Sequence, residues 1–272
     1  MRYLSFEWEG RPRIGVLDGA AVRPIEGTNA LVPESEGALR EQRLGPPIER
    51  AGLRLLPASP RASRIFCVGL NYDEHILETG REKPEYPVLF PKFASNLVGP
   101  EDDILLPAES AQIDYEGELA VVIGRAGRRI SEESALQHVF GFAVANDVTV
   151  RDYQYKTHQW LQGKAWDRST PLSAEIVSPE SLDLATSGIR TLLNGQTVQS
   201  STLDHLIFTV PRLIALLSVF TRLECGDVIL TGTPGGVGYR RDPQLFIQPG
   251  DEVVVEVDGV GRLANRARSE TP

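Results

Sequence analysis

The sequence predicts an α+β protein that is mainly β, built of rolled or barrel-like sheets with a few helices, and preceded by a small β-rich unit. Two observations predict it: strand-like segments outnumber helical ones, and the turns between them are short. Gly and Pro, at 25 and 19 of 272 residues, supply those turns.

At the N-terminus, "YLSFEWEG", "RIGVLDG" and "AVRPI" alternate in strand fashion, with Gly10 and Gly19 placed to turn hairpins. "ALREQRL" reads as a helix, and "RLLPASPRAS" as a linker between Pro57 and Ser63. The expected division is therefore a small N-terminal β-rich domain over residues 1–59 and a larger domain over residues 60–272. Beyond the linker, "RIFCVGLNY" is a strand running into a Gly/Asn loop, and "VLFPKF" and "GELAVVIG" are further strands. "SEESALQHVF" reads as a helix, with Ser131 at its N-cap and Glu132 and Glu133 in the first turn, though Ser134 denies it a full capping box. "GFAVANDVTV" returns to strand. "TLDHLIFTVPRLIALLSVF" carries apolar residues at helical spacing, with Pro211 near the start of the main helix. The tail reads as a strand into the loop "TGTPGGVG", then two strands joined at Asp258-Gly259.

Composition excludes several functions. A formal net charge of -9 is the wrong sign for nucleic acid or an anionic membrane surface. No apolar run approaches the ~20 residues that span a bilayer, and "MRYLSFEWEG" lacks the core of a signal peptide, so the expected location is the cytoplasm. Cys67 and Cys225 form no C-x-x-C pair and read as small buried hydrophobes. The glycine loop lacks the Gly-Lys-Ser/Thr ending of a phosphate cradle, and its glycines are expected to let the backbone approach a substrate carboxylate.

One stretch breaks the strand pattern. In "DYEGELAVVIG", Glu116 and Glu118 open an otherwise apolar run and, two residues apart on a strand, project to the same side. Asp147, at the end of the next apolar strand, makes a third carboxylate. Spacing alone leaves two readings: solvated strand ends, or a hard all-oxygen site for Mg2+, Mn2+ or Ca2+.

The ordered set "CVGLNYDEHILE", "PVLFPK", "DYEGELAVVIG", "NDVTVRDYQ", "GKAWDRSTPL" and "LTGTPGGVG" resembles the fumarylacetoacetate hydrolase family over about residues 64 to 268. The resemblance implies a β-roll catalytic core and a divalent metal held by Glu116, Glu118 and Asp147. It implies a water-activating His-x-x-Glu pair at His75 and Glu78, which a helix would place on one face, and a charge-stabilising Lys164. Arg151, Gln154 and Thr233 match substrate-contacting positions, with Lys92 a further candidate. The largest members carry an additional Asp ligand where this chain has Val68. "FAS" after Lys92 and Trp166 also depart from the common pattern, at positions expected to line or approach the pocket. His138, His158 and His205 carry no motif and read as structural or surface residues.

By this resemblance the expected activity is hydrolysis of a carbon-carbon bond in a 2,4-dioxo acid, releasing a 2-oxo acid and a carboxylic acid. Decarboxylation of oxaloacetate, or hydration or isomerisation, would use the same site. A silent scaffold is disfavoured, because it would need none of the six acid, His and Lys positions. The expected partners are a small anionic oxo acid and a second copy of the chain in a homodimer.

Overall fold

Runs of β-branched and aliphatic residues set the architecture of this computed structural model, which describes residues 1–26, 43–80 and 82–270. Among these residues are nineteen strands, four short α-helices and five 3-10 turns. The N-terminal strands are β1 (Arg2–Trp8), β2 (Arg11–Asp18), β3 (Ala21–Pro24) and β4 (Ile48–Glu49). Then come β5 (Ile65–Gly69), β6 (Val88–Lys92), β7 (Leu97–Val98), β8 (Ile104–Leu106), β9 (Ile113–Asp114) and β10 (Gly117–Ile123). β11 (Val139–Asn146), β12 (Thr149–Val150), β13 (Thr170–Pro171), β14 (Glu175–Val177) and β15 (Gly188–Leu193) follow. β16 (Gln196–Thr202), β17 (Val228–Leu230), β18 (Glu252–Val257) and β19 (Gly261–Ser269) complete the set. The helices are α1 (Asp73–Thr79), α2 (Arg151–Gln154), α3 (Leu161–Lys164) and α4 (Val210–Phe220).

Ten strands form one sheet in the order β4-β3-β2-β1-β14-β11-β10-β17-β5-β6, antiparallel except where β17 runs parallel to β5. The N-terminal strands thus continue the larger sheet through β1 and β14, paired from Arg2 against Val177. Tyr3, Ile14 and Ile25 share an apolar cluster with Ala143 and Leu230. The second sheet, β16-β15-β18-β19-β8, contributes Ile189, Val255 and Leu263 to the core that the two sheets share.

β10 lies in the middle of this packing, and every one of its residues is buried. Leu119, Val121 and Ile123 face the core shared with the second sheet and α4, whereas Ala120 and Val122 face the cluster on the other side. Burial on both faces explains why its sequence is a continuous apolar run without alternation. Gly117 is required by close approach, since a Cβ there would run into Thr191 Oγ1.

One helical segment differs from expectation, and a second agrees, with Pro211 near the start of the main helix. Residues 131–140 give a 3-10 turn, Glu132–His138, leading into β11. Ser131 holds the N-cap position, but its hydroxyl meets Ser134 Oγ and caps no amide. The helical spacing that began at Thr202 is realised as α-helix only from Val210. Upstream, the amides of Ile207 and Phe208 are taken by the carbonyl and side chain of Asn71, so a helix cannot use them. Thr209 then caps Arg212 N–H, and Pro211 occupies the first turn. Residues 38–42 of "ALREQRL" fall outside the described residues, and Leu44 forms a β-bridge with Ile25. No helix among the described residues is long and apolar enough to cross a membrane.

Asn71 ties this region together: its Nδ2 donates to Phe208 O at 3.0 Å and Thr231 O at 2.7 Å, and its Oδ1 accepts Phe208 N–H. Asn71→Ala leaves three buried backbone groups unpaired, and denaturant unfolding should show a loss of about 2–3 kcal/mol.

Candidate active site

The period of two along β10 puts Glu116, just before the strand, and Glu118 on the face that also carries Ala120 and Val122. The register Gly117 opposite Asn146 brings the end of β11 beside them, so Asp147 follows directly. Asp147 N–H donates to Glu116 O at 2.8 Å, and Glu116 N–H donates to Asn146 Oδ1 at 2.9 Å. One ligand oxygen from each of Glu116, Glu118 and Asp147 lies within 4.8 Å of the others, and all three residues are buried.

Cations meet this cluster from several elements. Lys164, at the end of α3, donates to Glu116 Oε2 at 2.7 Å and Asp147 Oδ2 at 2.8 Å. Arg151, opening α2, reaches Glu116 Oε1 at 2.7 Å and Asp114 Oδ2 at 2.8 Å. Lys92, at the end of β6, lies 2.8 Å from Asp147 Oδ1 and donates to Thr170 Oγ1. Burial pushes the Glu116 carboxyl up, but Lys164 and Arg151 outweigh it and hold the group down at about 2. Glu118 goes the other way: burial, then Asp147 and Glu116, push its carboxyl well above the usual carboxylate range. Lys164 is itself raised, because Asp147 and Glu116 overcome the cost of its burial.

The donor set fits a divalent cation. Three oxygen-only ligands suit Mg2+, Mn2+ or Ca2+. Glu118 carries the demand for one, since it accepts Gly232 N–H at 2.8 Å but has no lysine or arginine partner among the described residues.

The candidate base His75 stands on α1, where the spacing of three lets its Nδ1 meet Glu78 Oε1 at 2.6 Å. Glu78 Oε2 in turn accepts Gly236 N–H at 2.8 Å. The glycine loop therefore presents its amides to the protein's own acids, through Gly232 to Glu118, Gly236 to Glu78 and Gly238 to Asp114. No contact in the structure bears on its expected role toward a substrate carboxylate. Gly232 and Gly236 both sit at positive φ.

His75, Glu116, Arg151, Gln154, Lys164 and Thr233 line one cleft. Its other walls include Trp160, Tyr155 and Tyr239, and Val68, whose side chain offers no ligand oxygen at the position where the largest family members carry an additional Asp. Trp160 packs so closely on Gly69 that a Cβ there would strike its ring. Lys92 is not among the lining residues and stands against Asp147 Oδ1. Trp166 and Phe93 are also absent from the cleft and line a separate surface groove. None of His138, His158 and His205 lines the cleft.

The Fumarylacetoacetate (FAA) hydrolase C-terminal family model matches residues 64–268. The chain belongs to the fumarylacetoacetate hydrolase family. Within this family it is 43% identical over 221 residues to the oxaloacetate tautomerase fahd2, mitochondrial, of Xenopus laevis, covering 80% of this chain and 69% of that protein. Its structure superposes on fumarylacetoacetate hydrolase from Exiguobacterium antarcticum with a TM-score of 0.86 at 36% identity, covering 99% of this chain and 100% of the other. It also superposes on 5-carboxymethyl-2-hydroxymuconate delta-isomerase from Mycobacterium smegmatis with a TM-score of 0.85 at 33% identity and the same coverage. The β-roll enzyme of this family is thus the right frame for the chain, and relatives with different reactions share it.

Sequence reasoning missed Asp114, Gln199 and Asn71. Asp114 is fully buried, pairs with Arg151 and accepts the amides of Gly238 and Tyr239. Gln199 accepts Gly117 N–H and donates to Thr233 Oγ1 and Pro234 O, tying β16 to the acidic strand and the glycine loop. Asp114 stands two residues before Glu116, which was the available signal; Gln199 had none.

Two outcomes are expected. Calorimetric titration with Mn2+ should show Asp147→Ala weakening binding at least tenfold relative to the parent; unaltered affinity would place the metal elsewhere. In the metal-free protein, the depressed Glu116 carboxyl contributes stability that is fully present above its unfolded value near 4.5 and lost as pH falls toward about 2. Urea midpoints measured across that window should therefore fall more steeply for the parent than for Glu116→Gln.

Proposed function

We propose that the chain is a divalent-metal-dependent enzyme of 2-oxo acid chemistry, and that its reaction is keto-enol proton transfer on oxaloacetate or a close relative. The supporting observation is that one cleft is lined by His75, by Glu116 of the carboxylate cluster, and by Lys164 and Arg151. The name of the Xenopus laevis relative points the same way.

Glu116, Glu118 and Asp147 would hold the cation, which when bound would polarise the 2-oxo group and acidify the neighbouring carbon. Arg151, Gln154 and Thr233 would orient the substrate's oxygens. With His75 Nδ1 engaged by Glu78, Nε2 remains to take a proton from C3. The C–H electron pair becomes the C2–C3 double bond, charge moves to the C2 oxygen, and the Lys164 ammonium donates a hydrogen bond to it. Return of the proton to carbon gives the keto form, and to oxygen the enol form.

The hydrolase reading retains one specific support, the same His75–Glu78 pair, because a base of this kind serves water as well as carbon. In that case water adds to the C4 carbonyl of a 2,4-dioxo acid, and the C3–C4 bond breaks. The electron pair returns through C3, which is protonated to give the 2-oxo acid. Decarboxylation needs no such base.

A panel of oxaloacetate tautomerisation, oxaloacetate decarboxylation and acylpyruvate hydrolysis, run with Mg2+ or Mn2+, separates these readings. Tautomerisation should be the fastest reaction, and His75→Gln should lower its kcat by roughly 10²-fold or more without altering Mn2+ affinity. Acylpyruvate cleavage without tautomerisation would move the assignment to hydrolysis. Decarboxylation that survives His75→Gln would move it to a base-independent lyase.

A further inference from the structure

Four side chains with basic nitrogens line the cleft, and three of them meet carboxylates of the protein. His75 meets Glu78, Arg151 meets Asp114 and Glu116, and Lys164 meets Glu116 and Asp147. The fourth, Arg240, is exposed and has no ion pair among the described residues.

Its position is built. Arg240 ends the 3-10 turn Gly238–Arg240, whose first two amides donate to Asp114 Oδ1 and Oδ2 at 2.8 and 2.9 Å. The same Asp114 carboxylate holds Arg151 Nε at 2.8 Å, so one buried acid fixes both the inner arginine and the turn that carries the outer one. The guanidinium carbon of Arg240 lies 5.3 Å from the centroid of the Tyr239 ring. Tyr239 is in turn packed 5.4 Å from Tyr155, another wall of the cleft.

Burial orders these charges along the cleft. Glu116, Arg151 and Lys164 are buried at its inner end, and Arg240 is exposed at its mouth. A ligand whose 2-oxo acid end meets the inner cluster shares one cleft with Arg240. In a chain of net charge -9, an uncommitted guanidinium at a cleft mouth is a local inversion of sign that suits an anion. A guanidinium donates to a carboxylate in bidentate fashion, whereas a methyl or alkyl end offers it no acceptor.

We infer that Arg240 is a specificity-determining residue which binds the distal carboxylate of the substrate, so that the site selects short-chain 2-oxo dicarboxylates over monocarboxylates. This rests on the 2-oxo acid reading above and deepens it.

The test uses unreactive 2-hydroxy analogues of equal chain length, so that it does not depend on turnover. Malate and 2-hydroxybutanoate share a four-carbon chain and differ in a distal carboxylate against a methyl group. Calorimetry on the Mg2+-loaded protein should show malate binding at least tenfold tighter. Arg240→Gln should reduce that ratio about tenfold while leaving 2-hydroxybutanoate affinity in place, and Arg240→Lys should restore part of it. Failure of the parent to discriminate, an unchanged ratio in Arg240→Gln, or equal weakening of both ligands would each overturn the inference. The two proposals fail separately. Arg240-dependent malate binding in a protein inactive on oxaloacetate would sink the proton-transfer reaction but keep this assignment, whereas active protein with an unmoved ratio would do the reverse.

Discussion

Four carboxylates taken out of water at one end of an apolar sheet have to be matched by positive charge, and the site is organised by that matching. Asp114, Glu116, Glu118 and Asp147 are all at most 5% exposed. Left unpaired, each would cost several kcal/mol. The chain meets the demand with an alternating series: Asp114 to Arg151, Arg151 to Glu116, Glu116 to Lys164, Lys164 to Asp147, and Asp147 to Lys92. Glu118 stands outside the series with one backbone amide, so the carboxyl left unmatched falls at the point where a divalent cation would meet three oxygen ligands.

Such a series needs a frame that does not yield, and the central sheet provides it. β10 is packed on both faces and paired on both edges, with β11 and β17, so Glu118 cannot turn toward water without moving the core. The cations come from the short helices α2 and α3 and from the end of β6, elements brought together only by the fold. The glycine loop closes the arrangement, because amides at Gly232, Gly236 and Gly238 reach three different acids from one segment. Its glycines are a structural requirement at Gly232 and Gly236, where φ is positive.

What the sequence disclosed follows from how far each contact reaches along the chain. Glu116 and Glu118 are two residues apart and His75 and Glu78 three, so strand and helix periods alone place them together. The strands of the N-terminal unit and the closing hairpin were legible for the same reason. Contacts that join distant segments were not. Gln199 meets the amide of Gly117 across 82 residues, Gly238 meets Asp114 across 124, and Asn71 holds Phe208 across 137. The start of the main helix was legible from Pro211, whereas the long-range contact of Asn71 with the amides of Ile207 and Phe208 just upstream was not. Lys92 shows the limit from the other side: a lysine in a resembling motif was visible, but its engagement with Asp147 behind the cleft was not.

The commitment of the inner charges bears on how one fold supports relatives named for different reactions. Removing a proton beside a 2-oxo group and breaking a bond beside it both deliver an electron pair toward the same oxygen, and Lys164 together with a cation on the three acids would serve either demand. His75, held by Glu78, would as a base serve carbon or water alike. Substitution within the paired series would strand a buried charge, which restricts that part of the site to variants preserving the balance. Change can accumulate more freely at the rim, where Tyr155, Tyr239 and Arg240 meet solvent and carry no part of that balance. The paired interior charges are therefore the part of the site that tolerates least change, whereas the rim residues could vary without stranding a buried charge.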